Sequence, residues 1–117
     1  MDHLQQLERK SRLWHIERAA HDIQTFIEGR RREDYESEQV LALAIERELI
    51  IIGEALQRAL QVDPELAERI SDTRRIVNLR NQLVHNYPNI ETERIWDIIH
   101  DDLPLLLTEV RALLATE

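Results

Sequence analysis

One stretch of this 117-residue chain carries side chains suited to chemistry on a phosphate: Arg80-Asn81-Gln82-Leu83-Val84-His85-Asn86-Tyr87. A guanidinium offers a planar, permanently charged set of donors to phosphate oxygens, and an imidazole gains and loses a proton near neutral pH. From Arg74 to Ile90 there is no Asp or Glu, while Arg74, Arg75 and Arg80 all fall inside that window. Elsewhere acids prevail, 23 Asp and Glu against 15 Lys and Arg, for a net charge of -8. An acid-free window in an acidic chain is where a phosphate-bearing ligand is expected.

The same charge balance argues against a general nucleic-acid coat, because a pI near 5.1 repels polyanions at long range. With no Cys there is no disulfide framework and no thiolate nucleophile or metal ligand, which suits a reducing cytosol. The N-terminal residues lack an apolar run after a basic flank, and no stretch approaches the roughly 20 apolar residues that span a bilayer. The expectation is a cytoplasmic protein with no membrane partner.

The elements that position the motif read as helices. Only two Gly and three Pro interrupt the chain, and apolar residues recur at helical spacing almost throughout. Leu13, Ile16, Ala20, Ile23 and Ile27 form one stripe that stops at Gly29, followed by Arg30-Arg31-Arg32, which reads as a solvated helix end. A second helix, about Glu36 to Gln61, carries Leu41, Ile45, Leu49, Ile52, Leu56 and Leu60 and reads as the central one. Gly53 in its middle costs about 1 kcal/mol against Ala, so it predicts close approach of a neighbouring backbone or side chain. Asp63-Pro64 restarts the chain as cap and first helical position. A third helix, about Asp72 to Asn86, is stopped by Pro88. The last, about Glu91 to Ala115, has Asp101-Asp102-Leu103-Pro104 at a kink or a fresh start capped by Asp102. Short connections favour an all-α, antiparallel up-down four-helix bundle with a short extra helix, as one domain over residues 1–117.

Helical geometry constrains the motif. Asn81 and His85, four apart, share a face, whereas Arg80 and His85, five apart, diverge by about 140°. They meet if the helix unwinds near His85, if the arginine reaches round, or if a two-fold axis brings two copies together, which predicts a homodimer. The alternative is purely structural: Arg and His near a helix C-terminus cap carbonyls, and Tyr before Pro packs at a turn.

The segment Asn78 to Tyr87 resembles the Arg-Asn-x-x-x-His-x-Tyr signature of the HEPN superfamily, specifically its HepT-like toxins. Glu46 to Ala55 resembles that family's second-helix motif, and Ile95-Trp96-Asp97 through Asp102-Leu103-Pro104 its final-helix motif, in the expected order over roughly Leu13 to Leu114. Residues 1–12 lie outside the likeness. The resemblance implies a helical homodimer that cuts RNA, tRNA or mRNA, without a metal or other cofactor. It implies a type VII-like pairing with a minimal nucleotidyltransferase antitoxin. In that reading Arg80 stabilises charge on the scissile phosphate, His85 moves protons as the 2'-OH attacks, and Asn81 orients His85 or binds the phosphate. Tyr87 matches the tyrosine that such antitoxins modify with AMP. Many relatives carry Gly where Asn78 stands, and Gly-Val-Asp where Pro88-Asn89-Ile90-Glu91 stands.

Other constellations carry less. Asp97-x-x-His100 and Glu17-x-x-x-His21 each share a helical face, but di-metal bundles use paired Glu-x-x-His motifs, which this chain lacks, so no metal site is expected. Trp14 and Trp96 read as core or interface anchors. Glu54 reads as partner to an arginine of the site or as a helix-surface acid, and Arg75 as a supporting residue. Beside the ribonuclease toxin stand a non-catalytic helical module that binds a nucleotide or protein partner, and a purely structural dimer subunit.

Overall fold

Apolar residues at alternating steps of three and four fold this chain onto one core. A computed structural model describes residues 1–85 and 90–116. Helix α1 (His3–Ile27) buries Leu13, Ile16, Ala20 and Ile23, the stripe read from sequence. It begins well ahead of that stripe because Asp2 and Gln5 form a reciprocal capping box, at 2.8 and 2.9 Å. Gly29, at φ 72°, takes the left-handed conformation that ends it.

The helix expected over 36–61 is instead two. Helix α2 (Arg32–Ser37) is the short extra helix, and α3 (Gln39–Val62) follows after an extended Glu38. The break is held by tertiary contacts: Arg30 Nη1 donates to both Glu38 carboxylate oxygens at 2.6 and 2.7 Å, and the buried Tyr35 hydroxyl donates to Glu46 Oε2 at 2.8 Å. The basic run is thus bound to nearby acids, with Arg32 also 3.4 Å from Glu36.

Helix α3 is central, packing along both α1 and α4, and buries Ile45, Leu49, Ile52 and Leu56. Asp63 caps the next element as expected, accepting from the Glu65 N–H at 3.2 Å, but that element is a single 3-10 turn, Pro64–Glu68. Its other oxygen takes a 2.8 Å bond from Nε of the buried Arg9 of α1.

Helix α4 (Thr73–Val84) carries the motif and buries Ile76 and Leu79. The last helix is α5 (Thr92–Asp97), one wide π turn (Ile98–Asp102) and α6 (Leu103–Ala115). Pro104 explains the wide turn: it has no N–H for the His100 carbonyl, and its ring pushes that carbonyl away. Asp102 has helical backbone angles and makes no cap. The long helices form the expected all-α bundle. Among the described residues no helix is long and apolar enough to cross a membrane.

The α3–α4 approach is closest at Gly53. A Cβ built there overlaps Cβ of Arg80 and lies 2.6 Å from its Cγ. Gly53→Ala ordinarily gains about 1 kcal/mol of helix propensity. Here the overlap is with the root of a side chain, which no rotamer change relieves, so urea denaturation is expected to show a net loss of about 1–3 kcal/mol. A stabilised variant would contradict the contact.

Between α1 and α3, burial first and then the neighbouring Asp22 carboxylate push the Glu48 carboxyl above its usual 4.5, with Arg47 opposing. The native state therefore holds that proton more tightly than the unfolded chain, so the cost to stability is absent at low pH and grows as pH rises through 4.5. Glu48→Gln is expected to raise the Tm at neutral pH and to lose that advantage in acid; an equal gain at both would show a different cause.

Candidate active site

Arg80 is fixed from three directions. Its aliphatic stem lies on Gly53, Nη2 is 3.1 Å from Glu54 Oε1, and Nη1 donates to Asn81 Oδ1 at 2.9 Å. Its side chain is 21% exposed, so the guanidinium is held at the surface of a cleft and not inside the core. Glu54 is thus the partner of the site arginine while remaining on the helix surface, its side chain 53% exposed. Nε of Arg80 is buried and has no hydrogen-bond partner among the described residues.

Asn81 serves Arg80 with its side chain and the last turn of α4 with its backbone, its carbonyl accepting the His85 N–H at 3.1 Å. His85 is the C-terminal cap of α4, at φ -83° and ψ 3°, and is exposed. Because α4 stays regular through Val84, Arg80 and His85 keep the angular divergence that their spacing dictates. Gln82 of the same motif accepts a 2.6 Å bond from Arg94 and ties α5 to α4. Tyr87 lies outside the described residues.

Arg75 is placed elsewhere. Its Nη1 donates to Asp102 Oδ1 at 3.2 Å, linking α4 to the π turn. Burial raises the Asp102 carboxyl above its ordinary range, with Arg75 opposing, and Oδ2 is buried without a hydrogen-bond partner among the described residues. The acid-free window in sequence is therefore not acid-free in space: Glu54 and Asp102 reach its arginines from α3 and the π turn.

The cleft at Arg80 has a volume of about 560 Å³ and is lined also by Arg12 of α1 and by Glu54, Gln57, Arg58 and Gln61 of α3. The α3 residues recur at steps of three, one and three, a polar stripe on the C-terminal half of α3 that sequence reading passed over. Nothing in the sequence pattern connects Arg12 to them.

The remaining candidates have local partners. Trp14 is 48% exposed, with Arg18 5.5 Å from its ring centre, so it is not a core residue. Trp96 packs beside Tyr35 and His100, ring centres 6.2 and 4.7 Å apart. His100 Nδ1 lies 2.9 Å from the Trp96 carbonyl, and Glu17 pairs with Arg111 at 3.1 Å. Among the described residues no three His, Asp or Glu side chains gather as a metal-binding group.

Comparison with known proteins places the chain in a family. The chain is similar to the candidate RNase MJ1380 of Methanocaldococcus jannaschii, 28% identical over 103 residues, covering 86% of this chain and 92% of the relative. It is also similar to the candidate RNase TTE0752 of Caldanaerobacter subterraneus subsp. tengcongensis, 31% identical over 93 residues, covering 78% and 80%. No solved structure gives a significant match. The family model described as "Ribonuclease HepT-like" matches residues 16–113, a span that includes Gly53, Glu54 and the whole Arg80 to Tyr87 motif, and the chain belongs to that family.

Proposed function

We propose that this protein is a metal-independent endoribonuclease, the toxin of a HEPN and minimal nucleotidyltransferase pair, working as a homodimer. The observation that carries the reading is the presentation of Arg80: a guanidinium fixed by Gly53, Glu54 and Asn81 at an open cleft, on the helix that ends in an exposed His85, in a chain of the HepT-like family. The substrate's 2'-OH attacks the adjacent phosphorus, the P–O5' bond breaks, and the products are a 2',3'-cyclic phosphate and a 5'-OH. His85 takes or returns the proton, and Arg80 meets the charge that builds on the phosphoryl oxygens. Asn81 holds the guanidinium in its working orientation. A two-fold axis supplies the second motif that the divergence of Arg80 and His85 calls for.

Purified protein is expected to cut RNA in the presence of EDTA and to leave cyclic phosphate ends. His85→Ala should lower the rate by about 10²–10⁴, and Arg80→Ala by about 10²–10³, in proteins with unchanged circular dichroism. RNA bound but left uncut by the parent would instead favour the non-catalytic binding module.

Control is proposed to act at Tyr87. An AMP ester two residues from His85 adds bulk and negative charge where an RNA phosphate must enter, and so excludes substrate without rearranging the fold. Tyr87→Phe is expected to remain toxic in cells while escaping the partner nucleotidyltransferase. Full neutralisation of that variant by the partner would rule out modification of Tyr87 as the essential control.

A further inference from the structure

We infer that the cleft between α1 and α3 is a binding track for the RNA sugar-phosphate backbone, with Arg12 and Arg58 contacting phosphates that flank the one at Arg80. The identity of the polyanion rests on the ribonuclease reading; the track itself is read from the cleft. Among the described lining residues three guanidiniums, Arg12, Arg58 and Arg80, face one carboxylate, Glu54, with Glu8 beside Arg12 outside the lining, in a chain whose net charge is -8. This local reversal of sign attracts an anion that the rest of the surface repels.

The lining also says which part of a nucleotide it suits. Among the described residues it is Arg, Glu and Gln, with no aromatic ring on which a base could stack. At about 560 Å³ the cleft falls in the range of about 300–1,000 Å³ usual for ligand sites. Guanidiniums and amides recognise phosphate oxygens and ribose hydroxyls, so contact here is with the backbone and indifferent to sequence.

Two details show a site held ready. Arg12 Nη2 lies 3.9 Å from Glu8 Oε1, a long ion pair that is weak enough for a phosphate to displace. Arg9, one helical turn before Arg12, is buried and bonded to Asp63 at 2.8 Å, which pins this part of α1 beside the end of α3. Arg58 lies one turn, about 6 Å, along α3 from Glu54. Arg12 precedes the residues matched by the family model, so the track would give the first turns of α1 a role of their own.

The test uses the full-length chain in the His85→Ala background, so that RNA is held but not cut, with a short fluorescent single-stranded RNA as probe. Arg12→Gln and Arg58→Gln should each weaken binding several-fold for every RNA sequence alike and lower the slope of log affinity against log salt by about 1. With His85 present, each should raise KM and leave kcat nearly unchanged. Arg18→Gln, also on α1 but beside Trp14, controls for net charge and should leave affinity unaltered. Unchanged affinity and salt slope in both cleft variants overturns the track, as does an equal loss in Arg18→Gln or a parent that binds no RNA. Arginine-dependent binding by a parent chain that never cuts RNA would sink the catalytic reading alone.

Discussion

Arg80 crosses α3 at a position that has no side chain. With Gly53 beneath it, the stem of the arginine packs directly on backbone, and any Cβ there collides with the root of the residue on which the site depends. The cost is one poor helix former in the middle of the central helix, about 1 kcal/mol. In return the guanidinium leaves the α3–α4 junction along one path, toward Glu54 and the cleft. The contact therefore sets both how near α4 lies to α3 and where the charge of Arg80 is presented.

What surrounds that charge comes from the next residue in the chain and from a distant helix. Glu54 pairs with Arg80 at 3.1 Å, and with its carboxylate exposed the pair is weak enough for the phosphate of the proposed substrate to displace. Asn81 holds the other side of the guanidinium and, through its carbonyl, the turn that ends in His85. Arg75, in the same acid-free window, is instead tied to Asp102, joining α4 to the π turn that Pro104 forces. One arginine of the motif helix thus serves the cleft while another secures the helix that carries it.

The sequence was legible where a single helix decides the outcome. The stripe of Leu13, Ile16, Ala20 and Ile23 predicted α1, Gly29 its end, and Gly53 a close approach in α3. Reading failed where partners from different helices decide. Nothing local marks the break at Glu38, because Glu36 to Gln39 contain no Gly or Pro, and the stop is made by Arg30 reaching across. Of the two readings of Asp101 to Pro104, a kink or a start capped by Asp102, the cap does not form, because Asp102 lies in the π turn and spends its carboxylate on Arg75. The cleft residues Arg12 and Arg58 were invisible for the same reason, since only packing of α1 against α3 brings them beside Arg80. The motif's residue types pointed to the HepT-like family, which the family model bears out, while the roles of Arg80, Asn81 and His85 are proposals and Tyr87 lies outside the described residues.

In the proposed mechanism Arg80 and His85 act together although their own helix points them apart. Measuring RNA cleavage by a mixture of two inactive proteins, Arg80→Ala and His85→Ala, tests this most directly. If each site takes its arginine from one copy and its histidine from the other, about half of all dimers in an equal mixture pair the two variants, and one of their two sites is intact. The predicted activity is about a quarter of the parent's. A mixture as inactive as either variant alone, in protein shown to have exchanged subunits, would contradict the shared site.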